Sequence, residues 1–196
     1  WTSLGGSRTA GKGVKVGILD TGIWPEHPML KDPGIPYVGG TYGCDFGDGT
    51  DPLLGAPFTC NDKLVGAYAF VDTYMAVFGS EPGEFCDNAT GDCSARDSEG
   101  HGTHTATTAA GSPVVHAPLF GIERGPISGV APGASVIAYR VCLAEGCFQS
   151  DSVAAIDQAI ADGVDVINFS ISGTRTNFRD PVEIAFLRAA QAGIFI

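Results

Sequence analysis

Positively charged residues are scarce in this sequence. Its 196 residues include 11 Lys and Arg against 22 Asp and Glu, which gives a formal net charge of −11 at pH 7. The few basic residues form no cluster, whereas binding to nucleic-acid phosphates requires a concentrated basic surface. The composition therefore argues against a nucleic-acid partner, and the acidity favours solubility without indicating a fold.

Long hydrophobic segments are also missing. No run approaches the roughly 18 apolar residues of a membrane-spanning helix, and the first residues do not follow the pattern of a secretion signal. We therefore expect no membrane partner. A chain of 196 residues is long enough to bury one sizeable core, which fits one domain or most of one.

The six cysteines lack the Cys-x-x-Cys spacing of zinc knuckles and thioredoxin-like sites. They fall into three pairs that are close in sequence: Cys44/Cys60, Cys86/Cys93 and Cys142/Cys147. An even number at short separations favours disulfides, and hence an oxidising compartment and a secreted protein. Six reduced, buried thiols are the alternative. The sequon Asn88-Ala-Thr90 is consistent with secretion.

Apolar segments alternate with helical patterns along the second half of the chain. Strands are predicted over 14–20, 63–70, 134–141 and 164–171, and another begins at Ile194. One helix is expected to start at a cap on Ser150 or Asp151 and to reach about 162, and a second follows the Asp180-Pro181 cap. Residues from about 24 to 99 are Gly/Pro/Asp-rich and irregular. This alternation predicts an α/β fold with a parallel sheet.

Asp20 and His101 are the candidate chemical residues. Asp20 ends an apolar strand, and active groups in parallel sheets collect at the carboxyl ends of strands. His101 stands between Gly100 and Gly102 at the start of a small-residue run. An imidazole becomes a general base when a carboxylate accepts its Nδ1–H, and the third partner would be a nucleophilic Ser or Cys. His104 is expected to be a buried structural histidine.

Four motifs carry a family resemblance: VGILDTGI at 16–23, GHGTHTA at 100–106, GVAPGASVIAYR at 129–140 and DGVDVINFSISG at 162–173. In this order, they resemble the motifs of subtilisin-like serine proteases. Three further segments resemble the cucumisin-like branch: WPE at 24–26, CNDKLVGA at 60–67 and VCLAEGC at 141–147.

The resemblance implies a doubly wound parallel sheet with Asp20 and His101 as catalytic residues. It implies that Ser170, Ile171, Ser172 and Gly173 form an edge strand that pairs with an extended protein or peptide substrate. Residues 1–196 would be the N-terminal part of one peptidase domain, incomplete at its C-terminal side, with a disulfide-stapled insert over about 24–99. The oxyanion asparagine and the Gly-Thr-Ser nucleophile motif are expected after Ile196.

The remainder of the peptidase domain is therefore an expected partner of this chain. Without the nucleophile and the oxyanion asparagine, this chain alone is predicted to be inactive. No cofactor is expected. The resemblance places Met29 where many bacterial members of that family have a calcium-binding aspartate, so no metal is expected either. Two metal alternatives are disfavoured. His101 and His104 lack the helical His-Glu-x-x-His pattern of a zinc site, and the acidic loop residues match no EF-hand: Asp45, Asp48, Asp51 and Asp62.

A function from a different class remains open at this point. The chain could be a non-catalytic protein that binds extended peptides along Ser170–Gly173, built on part of the same fold.

Overall fold

The computed structural model describes residues 3, 6, 8–174 and 176–196. In chain order the strands and helices are β1 Lys15–Asp20, β2 Leu64–Ala69, α1 Asp72–Val77, α2 His101–Ala110, β3 Pro118–Leu119, β4 Ile122–Glu123, β5 Ser135–Arg140, β6 Cys142–Leu143, β7 Gly146–Cys147, α3 Gln149–Ala161, β8 Val166–Phe169 and α4 Pro181–Gln191. No helix within this described part of the chain has both the length and the apolar character needed to cross a membrane.

The main sheet is parallel and has four strands in the order β2–β5–β1–β8. Its strands are the four predicted ones, each shorter by one or two residues at one end or at both. Phe195 forms a single parallel bridge with Val166, so the chain resumes alongside β8. Ile194 is buried there, whereas Phe195 is exposed.

Helices cover both faces of this sheet, as a doubly wound fold requires. Successive side chains of a strand point to opposite faces. Ile18 of β1 therefore packs with Ala106 and Ala110 of α2. Its neighbour Leu19 belongs to the cluster on the other face, together with apolar residues of α3 and α4. The predicted α/β architecture with a parallel sheet is confirmed.

The predicted cap of α3 is wrong. The helix begins at Gln149 after Phe148, without a side-chain cap, and Ser150 and Asp151 lie within its first turn. Asp151 is buried and caps a different helix, because its two oxygens accept hydrogen bonds from the backbone N–H groups of Thr73 and Tyr74 in α1. The Asp180 cap of α4 is confirmed, since its Oδ1 accepts from the Val182 N–H.

The insert between 24 and 99 is held by local crosslinks. Disulfides join Cys44 to Cys60 and Cys86 to Cys93, and a third joins Cys142 to Cys147 across the β6–β7 hairpin. Strand β2 lies within this insert as predicted, whereas the short helix α1 and the two small hairpins, β3–β4 and β6–β7, were not predicted.

Lys63 is a fully buried cation at the end of α2 away from His101. Its Nζ donates hydrogen bonds to three backbone carbonyls, those of Ala110, Pro132 and Ala134. Burial lowers the pKa of this ammonium to about 8. Because Ala110 is the last residue of α2, Lys63 ties the helix to the loop that leads into β5.

Candidate active site

Asp20 is held rigidly at the carboxyl end of the central strand β1. The strand is buried along most of its length, and Asp20 itself is 1% exposed. Its Oδ1 accepts a hydrogen bond from the Thr21 N–H at 2.8 Å, and its Oδ2 accepts one from the Thr105 hydroxyl at 3.2 Å. These bonds fix the orientation of a carboxylate that has almost no access to solvent.

His101 is the first residue of α2 and faces Asp20 directly. Its Nδ1 lies 2.6 Å from Oδ1 of Asp20, while half of its side chain (50%) remains exposed. The hydrogen bond with Asp20, followed by the charge of that carboxylate, raises the pKa of His101 above its ordinary value. Since a carboxylate can only accept, Nδ1 carries the proton and Nε2 is the basic nitrogen of the neutral ring.

Asp97 organises the start of α2, a role that was not predicted from the sequence. Its Oδ1 accepts from the N–H groups of Glu99 and Gly100 and from the Thr21 hydroxyl. Its Oδ2 accepts from the N–H and the hydroxyl of Thr103. Burial raises the pKa of Asp97, but these hydrogen bonds outweigh it and leave a lowered value. An acidic residue three positions before Gly100 was the available signal of such a cap.

The helix approaches the end of β1 so closely that position 102 must be glycine. The Gly102 N–H donates to the Thr21 hydroxyl at 2.8 Å. A Cβ added to Gly102 would lie 2.2 Å from the carbonyl oxygen of Gly22 and 3.2 Å from the Cβ of Asp20. The absence of a side chain thus permits the backbone contact that brings His101 to Asp20.

The prediction for His104 is wrong, because this side chain is exposed. Residues three apart share a face of a helix, and His101 already points outward. His104 lines an open pocket with Trp24 and His27. His27 is half-buried, and burial lowers its pKa. In the part of the chain that is described, no three His, Cys, Asp or Glu side chains converge as a metal ion would require.

The segment Ser170–Gly173 follows β8 at the same edge of the sheet as Asp20, because Leu19 of β1 pairs with Phe169 of β8. Ile171 is half-buried and packs on the core, whereas its neighbours are exposed. Residues 170–174 make no backbone–backbone hydrogen bond to any other described residue. Beside them is a cavity of about 220 Å³, whose walls include Phe169, Ile171 and Val182.

Comparisons with known proteins agree with this geometry. The sequence model described as the Subtilase family matches residues 11–196. "Subtilisin-like protease SBT1.4" of Arabidopsis thaliana is 43% identical over 191 residues, which is 95% of this chain and 24% of that protein. "Subtilisin-like protease SBT1.3" of the same plant is 44% identical over 186 residues, 93% of this chain and 23% of that protein.

One solved structure supports the fold. The crystal structure of fervidolysin from Fervidobacterium pennivorans, a keratinolytic enzyme related to subtilisin, superposes with a TM-score of 0.56 and 20% identity. The match covers 99% of this chain and 22% of fervidolysin. The chain therefore spans about a quarter of the length of the relatives that it matches.

Proposed function

Because this chain belongs to the subtilase family, we propose that it is the N-terminal part of a serine endopeptidase domain and supplies Asp20 and His101 of the catalytic triad. The observation that carries the proposal is the 2.6 Å contact between Nδ1 of His101 and Oδ1 of Asp20. A buried carboxylate that orients a half-exposed imidazole is the arrangement of a general base. The curated relatives are named subtilisin-like proteases.

In this mechanism the exposed Nε2 of His101 takes the proton of an attacking serine hydroxyl. Asp20 accepts the Nδ1–H throughout, and its charge stabilises the imidazolium that forms. The imidazolium then returns the proton to the leaving amine, which yields an acyl-enzyme that water hydrolyses by the same route. No serine in the described part of the chain hydrogen-bonds to His101. The nucleophile and the oxyanion donor would come from other parts of the enzyme.

The substrate would be a protein or peptide in an extended conformation. The backbone of Ser170–Gly173 makes no backbone hydrogen bond to another described residue, and it is suited to add such a strand to the sheet edge. The adjacent cavity would receive one of its side chains. Three disulfides are compatible with an extracellular enzyme.

A chimeric enzyme tests the catalytic roles. The matching 191-residue region of the Arabidopsis relative SBT1.4 would be replaced by this chain, and hydrolysis of a fluorogenic peptide measured. We expect activity that is lost in His101→Ala and strongly reduced in Asp20→Asn. In subtilisin itself, removal of the triad histidine or aspartate lowers kcat by about 2 × 10⁶-fold or 3 × 10⁴-fold.

His116→Ala is the matched control, because His116 is an exposed histidine outside the site. A folded chimera whose activity survives His101→Ala would overturn the proposal. A folded chimera that binds peptide without cleaving it would support the peptide-binding alternative instead. The 196-residue chain alone should not react with a fluorophosphonate probe, and stoichiometric labelling of one of its serines would contradict a nucleophile supplied from elsewhere.

A further inference from the structure

The sequon Asn88-Ala-Thr90 lies on a surface turn that the proposed catalytic function does not use. All three residues are exposed, and they occupy the tip of the loop closed by the Cys86–Cys93 disulfide. We propose that Asn88 carries an N-linked oligosaccharide, which is added when the chain enters a secretory compartment. The proposal is independent of proteolysis and depends only on that entry.

The loop presents the sequon in a compact, hydrogen-bonded turn. The Gly91 N–H donates to the Asp87 carbonyl at 2.8 Å, and the Asp87 N–H donates to the Asp92 carbonyl at 2.8 Å. The Asp87 side chain also accepts from the Ala89 N–H. These contacts leave Asn88 at the outside of the turn, where a bulky hydrophilic group can be accommodated in solvent.

The backbone of Ser80 orients the side-chain amide of Asn88. Its Oδ1 accepts from the Ser80 N–H at 2.7 Å, and its Nδ2 donates to the Ser80 carbonyl at 2.9 Å. An amide nitrogen has two hydrogens, and only one is used in this pair. A glycosylated asparagine keeps its Oδ1 as an acceptor, so the contact with the Ser80 N–H can persist after modification.

A second sequon, Asn168-Phe-Ser170, serves as the structural contrast. Asn168 lies within β8, where it pairs with Ile18 of the central strand, and its Nδ2 donates to the Ser170 hydroxyl at 3.1 Å. A glycan there would stand in the sheet beside the segment proposed to bind substrate. Asn168 is therefore expected to remain unmodified in the folded protein.

The oligosaccharide is transferred to Asn88 from a lipid diphosphate, which is the co-reactant. A bond forms between Nδ2 of Asn88 and C1 of the first sugar, and the bond from C1 to the diphosphate oxygen breaks. The amide loses one proton to a base of the transferase, and the lipid diphosphate leaves. No oxidation or reduction occurs.

The position of the glycan also gives it a physical role. Val77 and Phe78 are exposed hydrophobic side chains at the end of α1, with relative exposures of 57% and 59%. They lie two and three residues before Ser80, which hydrogen-bonds to Asn88. The first sugars on Asn88 would therefore cover this small apolar patch and restrict access of proteases to it.

Translation of the chain behind a cleavable secretion signal, in the presence of microsomes, tests the modification. We expect one glycan, seen as a single mobility shift that peptide N-glycosidase removes. Asn88→Gln and Thr90→Ala should abolish the shift, whereas Thr90→Ser, which preserves the sequon, and Asn168→Gln should retain it. An unshifted wild-type chain in the protease-protected, signal-cleaved fraction would overturn the proposal, as would a shift that survives Asn88→Gln.

The covering role has its own test in the purified secreted protein. The glycosylated chain should resist chymotryptic cleavage after Phe78 relative to the enzymatically deglycosylated chain. The comparison uses one sequence in both states, so differences in folding between variants do not enter. Equal cleavage rates would refute the covering role and leave the modification itself to be judged by the mobility shift.

Discussion

Substitution of Gly102 by alanine probes the contact on which the whole site depends. The added Cβ would lie 2.2 Å from the carbonyl oxygen of Gly22, whereas carbon and oxygen atoms in close contact are separated by about 3.3 Å. The obstacle is the backbone that follows β1, not a flexible side chain. Helix α2 must therefore move away from the strand by about 1 Å.

The expected cost follows from two opposing effects. Overpacking of this kind destabilises by about 1–3 kcal/mol, and a clash with backbone belongs at the upper end of that range. Alanine regains about 1 kcal/mol over glycine through its helix propensity. We expect the free energy of unfolding to fall by about 2 kcal/mol in urea titrations. The shift should also lengthen the 2.6 Å contact between His101 and Asp20 beyond hydrogen-bonding distance.

Loss of that contact can be measured separately from stability. NMR titration of the His101 ring should give a raised pKa in the wild type and a value near 6.5 in Gly102→Ala. Gly40→Ala is the matched control, because its new Cβ meets no atom closer than 3.4 Å. If Gly102→Ala retained both the stability and the raised pKa of His101, the argument from close packing would be refuted.

Three further substitutions test other parts of the structure. Asp20→Asn should lower the pKa of His101 towards its ordinary value. Because the folded-state pKa is raised in the wild type, the stabilisation by the imidazolium is present below about pH 6.5 and is lost as the pH rises through the folded-state pKa. If the difference in unfolding free energy between the wild type and Asp20→Asn did not shrink between pH 5 and pH 9, the ion pair would be contradicted. Lys63→Met should cost at least about 3 kcal/mol in urea unfolding, since three buried carbonyls lose their donor at about 1 kcal/mol or more each; an unchanged midpoint would show that water replaces the ammonium. Replacement of Cys142 and Cys147 by serine should cost about 2 kcal/mol for so short a ring, and a thermal midpoint equal to that of the wild type would contradict a stabilising crosslink.

The strands and the Asp20–His101 pair were predictable because their signals are local. An apolar run that ends in an acid places Asp20 at a strand terminus, and paired glycines around His101 indicate close backbone approach. The rule that active groups collect at one edge of a parallel sheet then brings the two side chains together. The structure places them in contact, as that reasoning anticipated.

The features that could not be predicted depend on partners distant in sequence. Asp97 accepts a hydrogen bond from Thr21, 76 residues away, and Asp151 caps α1 from 78 residues away. Nothing near Asp151 in the sequence indicates that it caps a helix 78 residues earlier, and nothing near Asp97 indicates its bond with Thr21. The error for His104 has a different cause, since the expectation of burial overlooked that it shares a helix face with His101.

The order of pairing around β1 has a kinetic consequence. Strand β1 lies near the start of the sequence, but its partners are distant. The hydrogen bond from the Lys15 N–H to the Asp165 side chain, just before β8, spans 150 residues, and the contact between Asp20 and His101 spans 81 residues. Contacts at such separations require large loops to close, and folds dominated by them assemble slowly. Until β5 and β8 arrive, the apolar edges of β1 remain open to pairing with other chains. The contact between His101 and Asp20 closes a shorter loop than the contact of Lys15 with Asp165, so the entropy lost in closing its loop is the smaller of the two.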